Sequence, residues 1–185
     1  MKKKISLILG IISAFLMLGM LSTVSAADID SGMVAYLSFD NKVGGVVPDI
    51  TGNGWNATLM GGAEVTDSKA KFGKALYLDG IDSYAELPDG VNLALDGEDW
   101  TISVWCMIEE LRNFQRVFDF NSTSATFFYM SPSTSDLLPT YRAKINNGTR
   151  DTLDSYNLFI DENEWYHIVV SQQGTTVNFY INGEL

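Results

Sequence analysis

Residues 165–185 read WYHIVVSQQGTTVNFYINGEL, and two strands are legible in them. Trp165 to Ser171 and Thr175 to Ile181 crowd aromatic and β-branched residues into runs bounded by turn formers, a composition that suits a pleated, half-buried surface. Gln172 to Gly174 is expected to turn the chain between them. Asn182-Gly183 is a second turn signal, because both residues tolerate the positive φ that two-residue hairpin turns require. Such a turn launches a returning strand. Only Glu184 and Leu185 follow it, so the chain is expected to be a fragment of a longer protein.

The pattern extends outward from this hairpin. Beyond residue 26 nothing sustains a helical period, and short alternating runs are cut by Gly, Asn, Asp and Ser. The runs read as strands are MVAYLSFD (33–40), NATLMG (56–61), ALYLDG (75–80), SYAELP (83–88), WTISVWCMIEE (100–110), QRVFDFN (115–121), TFFYMSP (126–132), YRAKIN (141–146), EWYHIVVSQ (164–172) and TTVNFYIN (175–182). Short strands in that number predict an all-β sandwich or barrel. In TISVWCMI, Ile102, Val104, Cys106 and Ile108 share one face. The opposite face, with Thr101, Ser103, Trp105 and Met107, is not fully polar, so it is expected to be covered or to face a ligand. Trp100, Trp105 and Trp165 are expected to fill the core, as aromatic residues in alternating strands usually do. Trp55 lies in a Gly-rich loop, where packing and ligand contact are both open.

The opening MKKKISLILGIISAFLMLGMLSTVSA combines a lysine cluster, an apolar run, and Val24 and Ala26 at the −3 and −1 positions of a cleavage site. This is the pattern of a secretory signal peptide over residues 1–26, of a bacterial kind, leaving one domain over 27–185. A membrane is expected to be a partner only through that segment, if it stays uncleaved. The formal net charge is −11, and losing Lys2, Lys3 and Lys4 makes it more acidic still. Nucleic acid and anionic membrane surfaces are poor partners for such a chain. Cys106 is the sole cysteine, which excludes an intrachain disulfide, and its place in an alternating strand suits a small buried thiol.

Five segments, GMVAYLSFD, VPDITGNGWNATLMGGAEV, KFGKALYLDGIDSYAELP, WTISVWCMIEE and EWYHIVVSQQGTTVNFYINGEL, resemble in order and spacing the laminin-G-like domains of the concanavalin A-like lectin/glucanase superfamily. The resemblance implies a two-sheet antiparallel β-sandwich, a jelly roll, whose last strands would lie beyond Leu185. RVFDFNSTSATFFYMSPS (116–133) further resembles the subgroup appended to secreted plant-polysaccharide glycoside hydrolases. Relatives of this kind often hold one structural calcium. The matching positions here are Asp40, Asp49, Asn53, Asp79 and Asp82, whose oxygens suit a hard cation but also suit Asx-rich turns. Gly52 and Gly54 are expected to let the loop fold tightly, and Gly73 to let the backbone pass close to a neighbour.

Catalysis is not expected. Glucanases of this superfamily carry paired carboxylates in an E-x-D strand, and no E-x-D triplet occurs here. Glu162 and Glu164 have the right period but sit in an acidic turn. His167 lacks a cysteine or histidine partner at ligand spacing and reads as a packed residue. The N-x-[ST] triplets at Asn56, Asn121 and Asn147 carry no glycan in this reading. Two functions compete. One is a secreted, non-catalytic module that binds a polysaccharide or other glycan, expected to expose aromatics beside Asn or Asp. The other is a structural or adhesion module without a sugar site, expected to show a flat, acidic face.

Overall fold

A computed structural model describes residues 32–91, 99–123, 126–134, 138–144, 151–154 and 159–185. The leader at 1–26, residues 94–98 and Asn147 lie outside them. The chain is all-β, and the described residues form twelve strands: β1 (Val46–Val47), β2 (Ala57–Met60), β3 (Glu64–Thr66), β4 (Ala75–Tyr77), β5 (Tyr84–Glu86), β6 (Trp100–Met107), β7 (Phe118–Thr123), β8 (Thr126–Ser131), β9 (Thr140–Lys144), β10 (Asp151–Asp154), β11 (Trp165–Gln173) and β12 (Thr176–Ile181). Every pairing is antiparallel, in the sheet orders β12-β11-β6, β10-β9-β8-β7, β1-β2-β5 and β3-β4.

The core lies between the first two of these sheets. Ile168, Val170, Phe179 and Ile181 from β11 and β12 meet Met130 and Tyr141 from β8 and β9, and Ile160 joins them. Trp100, Val104 and Cys106 pack against this cluster from β6. Successive side chains of a strand point to opposite faces, so the residues between these belong to the other surface. Thr101, Ser103 and Trp105 are accordingly exposed. Trp165, on the His167 side of β11, is absent from the core cluster, and Trp105 is not a core residue either, both contrary to expectation. The period that buries Val104 and Cys106 turns it outward, and 43% of its surface is accessible.

The terminal hairpin differs from expectation only in its turn. The β11–β12 ladder runs to Gln173↔Thr176, so Gly174 and Thr175 alone make the bend, with Gly174 at positive φ and its N–H given to Asp99 Oδ1. Asn182 and Gly183 both take positive φ, and Ile181 bridges back to Glu184. Residues 33–40 form no strand. Their backbone groups are taken by the loop that follows β1: Tyr36 N–H donates to Asp49 Oδ1, Ile50 N–H to Tyr36 O, and Asn53 Nδ2 to the carbonyls of Met33 and Val34. The short strands β1, β3 and β10 were not legible, being too short or too polar to show a period.

The alternation sets a stability test. Ile168→Ala removes a fully buried side chain beneath both sheets and is expected to cost about 2–5 kcal/mol. Thr101→Ser, on the exposed face of the paired strand, should change stability by about 0.5 kcal/mol or less. Urea unfolding of the two variants checks the contrast.

Candidate functional site

Charged, hydroxyl and aromatic side chains surround the loop from Asp67 to Lys74, which joins β3 to β4. The loop is short of regular structure but firmly tied. Ser68 N–H donates to Thr66 Oγ1, Trp165 Nε1–H donates to the Lys69 carbonyl at 3.1 Å, and Lys69 Nζ pairs with Glu109 Oε1 at 2.8 Å. At its far end Lys74 N–H donates to Asp40 Oδ1. Gly73 lies directly against that carboxylate at positive φ, so a Cβ there would collide with Asp40. The close approach expected of Gly73 is thus made to a side chain.

On one flank of the loop, the β3–β4 register sets Glu64 opposite Tyr77, and the strand period puts Thr66 on the face of Glu64. Together with Ser68, Lys69 and Glu109 they line an open cleft of about 220 Å³. Tyr77 is 43% accessible. Carboxylate acceptors, hydroxyls and an ammonium around one aromatic ring suit a small polyhydroxylated ligand, whose C–H faces pack on the ring while its hydroxyls bond to the rim.

On the other flank lies the outward face of β6 and β11. Trp105 stands opposite His167, and their rings stack at 4.9 Å and 24°. Ser103 Oγ is 2.8 Å from His167 Nε2. The loop adds Phe72, edge-on to Trp105 at 6.4 Å, and Lys71, whose Nζ is 4.3 Å from the Trp105 ring centroid. Phe72 is 71% accessible. Serine and histidine at this distance form a nucleophile–base pair in outline only. Among the described residues no carboxylate accepts from the imidazole to orient it.

The residues expected to hold calcium sit in three separate turns. Asp49, 7% exposed, receives the N–H groups of Tyr36 and Thr51 and the Thr51 hydroxyl on Oδ1, and the Trp55 N–H on Oδ2. Burial raises its pKa, but these bonds outweigh that effect and hold the carboxyl below the usual aspartate range. Asn53 turns its amide N–H groups onto Met33 and Val34. Asp79 Oδ1 caps its own turn through Ile81, Asp82 and Ser83, bonds that lower its pKa too. Asp40 is engaged by Lys74, and the Asp82 carbonyl abuts Gly61. Among the described residues no three His, Cys, Asp or Glu side chains gather closely enough to hold a metal. The carboxylate oxygens of Asp40, Asp49 and Asp79 staple loop backbone as placed.

The remaining candidates fall elsewhere. Trp55 is half-buried and, among the described residues, makes no ring contact. Trp100 stacks on Phe128 within the core layer. Glu162 accepts the Leu111 N–H. Burial pushes the Cys106 thiol up to about 12, which leaves it inert at neutral pH. Lys69, Lys71, Phe72, Glu64, Tyr77 and Glu109 escaped the sequence reading. The run SKAKFGK, basic and aromatic within an acidic chain, was the signal that could have found the first three.

A family model described as the Concanavalin A-like lectin/glucanases superfamily, of laminin-G type, matches residues 79–185. Among solved structures the chain is similar to Domain 4 of AbnA, a GH43 extracellular arabinanase from Geobacillus stearothermophilus, in complex with arabinotriose. The two share 25% identity and a TM-score of 0.65, over 82% of this chain and 71% of that one. No curated protein matches the chain.

Two tests follow from the loop carboxylates. Because the folded pKa of Asp49 lies below its unfolded value, near 3.9, its contribution to stability is complete above that value and is lost as pH falls through the folded pKa. Asp49→Asn is expected to lower the urea midpoint at pH 7 and to flatten its decline between pH 5 and pH 2. Self-stapled loops also predict a melting temperature that calcium and a chelator leave unchanged. A rise in melting temperature that grows with calcium concentration would instead reveal a native-state site.

Proposed function

The chain belongs to the concanavalin A-like lectin/glucanases superfamily, and on that premise we propose that it is a non-catalytic carbohydrate-binding module, exported and working as part of a polysaccharide-degrading glycoside hydrolase. The observation that carries this reading is the cleft beside the Asp67–Lys74 loop, where the accessible Tyr77 ring stands among Glu64, Thr66, Ser68 and Glu109. Tyr77 supplies the flat apolar surface for one sugar ring. Glu64 accepts from its hydroxyls, and the Ser68 and Thr66 hydroxyls can donate or accept. The similar arabinanase domain is bound to arabinotriose, which makes short arabinans the first ligands to try. Its extracellular origin agrees with the leader read at residues 1–26.

Two observations favour binding without turnover. Glycoside hydrolysis requires a free acid and a second free carboxylate flanking the scissile bond, whereas Glu109 is paired with Lys69 and Glu162 is committed to the Leu111 amide. An adhesion module with no sugar site is less well supported, because the Trp105 face carries Lys71, Phe72 and His167 in place of a flat acidic surface.

Isothermal titration with arabinotriose and with a panel of plant glycans tests the reading. Binding to at least one member is expected, weakened about tenfold or more by Tyr77→Ala, which corresponds to about 1.4 kcal/mol. No reducing sugar should be released. Absence of binding across the panel, or affinity indifferent to Tyr77→Ala, would overturn the assignment.

A further inference from the structure

The Trp105 face is the second surface to which the Asp67–Lys74 loop contributes, and the cleft does not use it. His167 stacks on the indole at 4.9 Å, and Lys71 Nζ stands 4.3 Å from the centre of the same ring. The imidazole and the ammonium thus both lie against the Trp105 ring. The ammonium is held there by the ring quadrupole. Among the described residues the ion pairs join Lys69 to Glu109, Arg112 to Glu110 and Arg116 to Asp119, and none includes Lys71. In a chain with 23 acidic against 12 basic residues, an un-neutralised cation is thus fixed on an accessible aromatic surface.

We propose that this face is a subsite for a sugar unit bearing a carboxylate, a uronate, on the glycan whose neutral unit occupies the cleft. The proposal rests on the module reading above and adds a charge preference to it. A neutral ring stacking on Trp105 has to compete with the ammonium and the imidazole already against it, forfeiting a contact the protein makes itself. A uronate leaves that contact intact. Its carboxylate accepts from Lys71 Nζ in a charge-assisted hydrogen bond, its C–H groups lie against Phe72 and the indole rim, and Ser103 offers a hydroxyl to the sugar. The surrounding negative charge does not forbid this. At about 0.15 M ionic strength the screening length is about 8 Å, so the cation in direct contact outweighs more distant carboxylates. Lys74, exposed three residues further on, adds to the local balance.

The test titrates the full chain with trigalacturonic acid, its methyl ester and arabinotriose, in wild type, Lys71→Met and Lys71→Arg. Wild type is expected to bind the acid about tenfold more tightly than the ester at low salt, a preference that shrinks as salt is raised. Lys71→Met should bring the acid-to-ester ratio to about one, and Lys71→Arg should keep most of it. If arabinotriose binds while wild type shows no preference for the acid, or if the preference survives in Lys71→Met, the uronate subsite is refuted and the module reading stands. A protein that binds none of the three refutes both.

Discussion

The register between β6 and β11 is the constraint from which the rest follows. Pairing runs from Trp100↔Gln172 to Met107↔Trp165, and within it Val104 lies opposite Ile168 while Trp105 lies opposite His167. Side chains alternate between faces, so this one alignment decides both surfaces at once. It sends Val104, Cys106, Ile168 and Val170 into the core against Met130 and Tyr141. It sends Ser103, Trp105 and His167 to the outside, where they form a stack. A slip of one residue would exchange the two sets, exposing Ile168 and burying the imidazole. The core therefore enforces the outer face, and any function of that face is inherited from the packing behind it.

The Asp67–Lys74 loop is placed by the same sheet. Trp165 ends the paired stretch of β11, and its indole N–H holds the Lys69 carbonyl. Lys69 then reaches Glu109, just beyond β6, with its side chain. Those two ties fix a loop that would otherwise be free, and they set its neighbours on two surfaces, Lys69 and Ser68 at the cleft, Lys71 and Phe72 over Trp105. A loop held on a rigid sheet is the usual way that a β-sandwich presents a binding site.

Much of the architecture was legible because its signals are local. The period-two run from Thr101 to Ile108 and the apolar hairpin from Trp165 to Ile181 identify strands, faces and partners without knowledge of the whole. The turn residues Gly52, Gly54, Asn182 and Gly183 all take the positive φ their types suggested. What failed was of two kinds. Residues 33–40 have the composition of a strand, yet their backbone groups go to Asp49 and Asn53, side chains more than ten residues away. Trp105 was assigned by residue type to the core although its own strand's period pointed it outward. Among the acidic positions named for a cation, Asp79 caps its own turn, whereas Asp49 and Asp40 accept the distant N–H groups of Tyr36 and Lys74, a distinction that depends on where each backbone N–H points and leaves no trace in composition. The cleft joins Glu64, Tyr77, Lys69 and Glu109 from three chain segments, so no spacing rule could have assembled it.

The central claim is that one loop and the sheet it leans on form a glycan-binding surface. The most direct measurement is a titration of the isotopically labelled protein with arabinotriose, followed through its backbone amide NMR resonances. The account predicts shifts confined to residues 64–77, 103–109 and 165–167, the three segments that meet at the loop. Shifts concentrated instead on β7 to β9, or on the Asp49–Trp55 loop, would place the ligand elsewhere and contradict it.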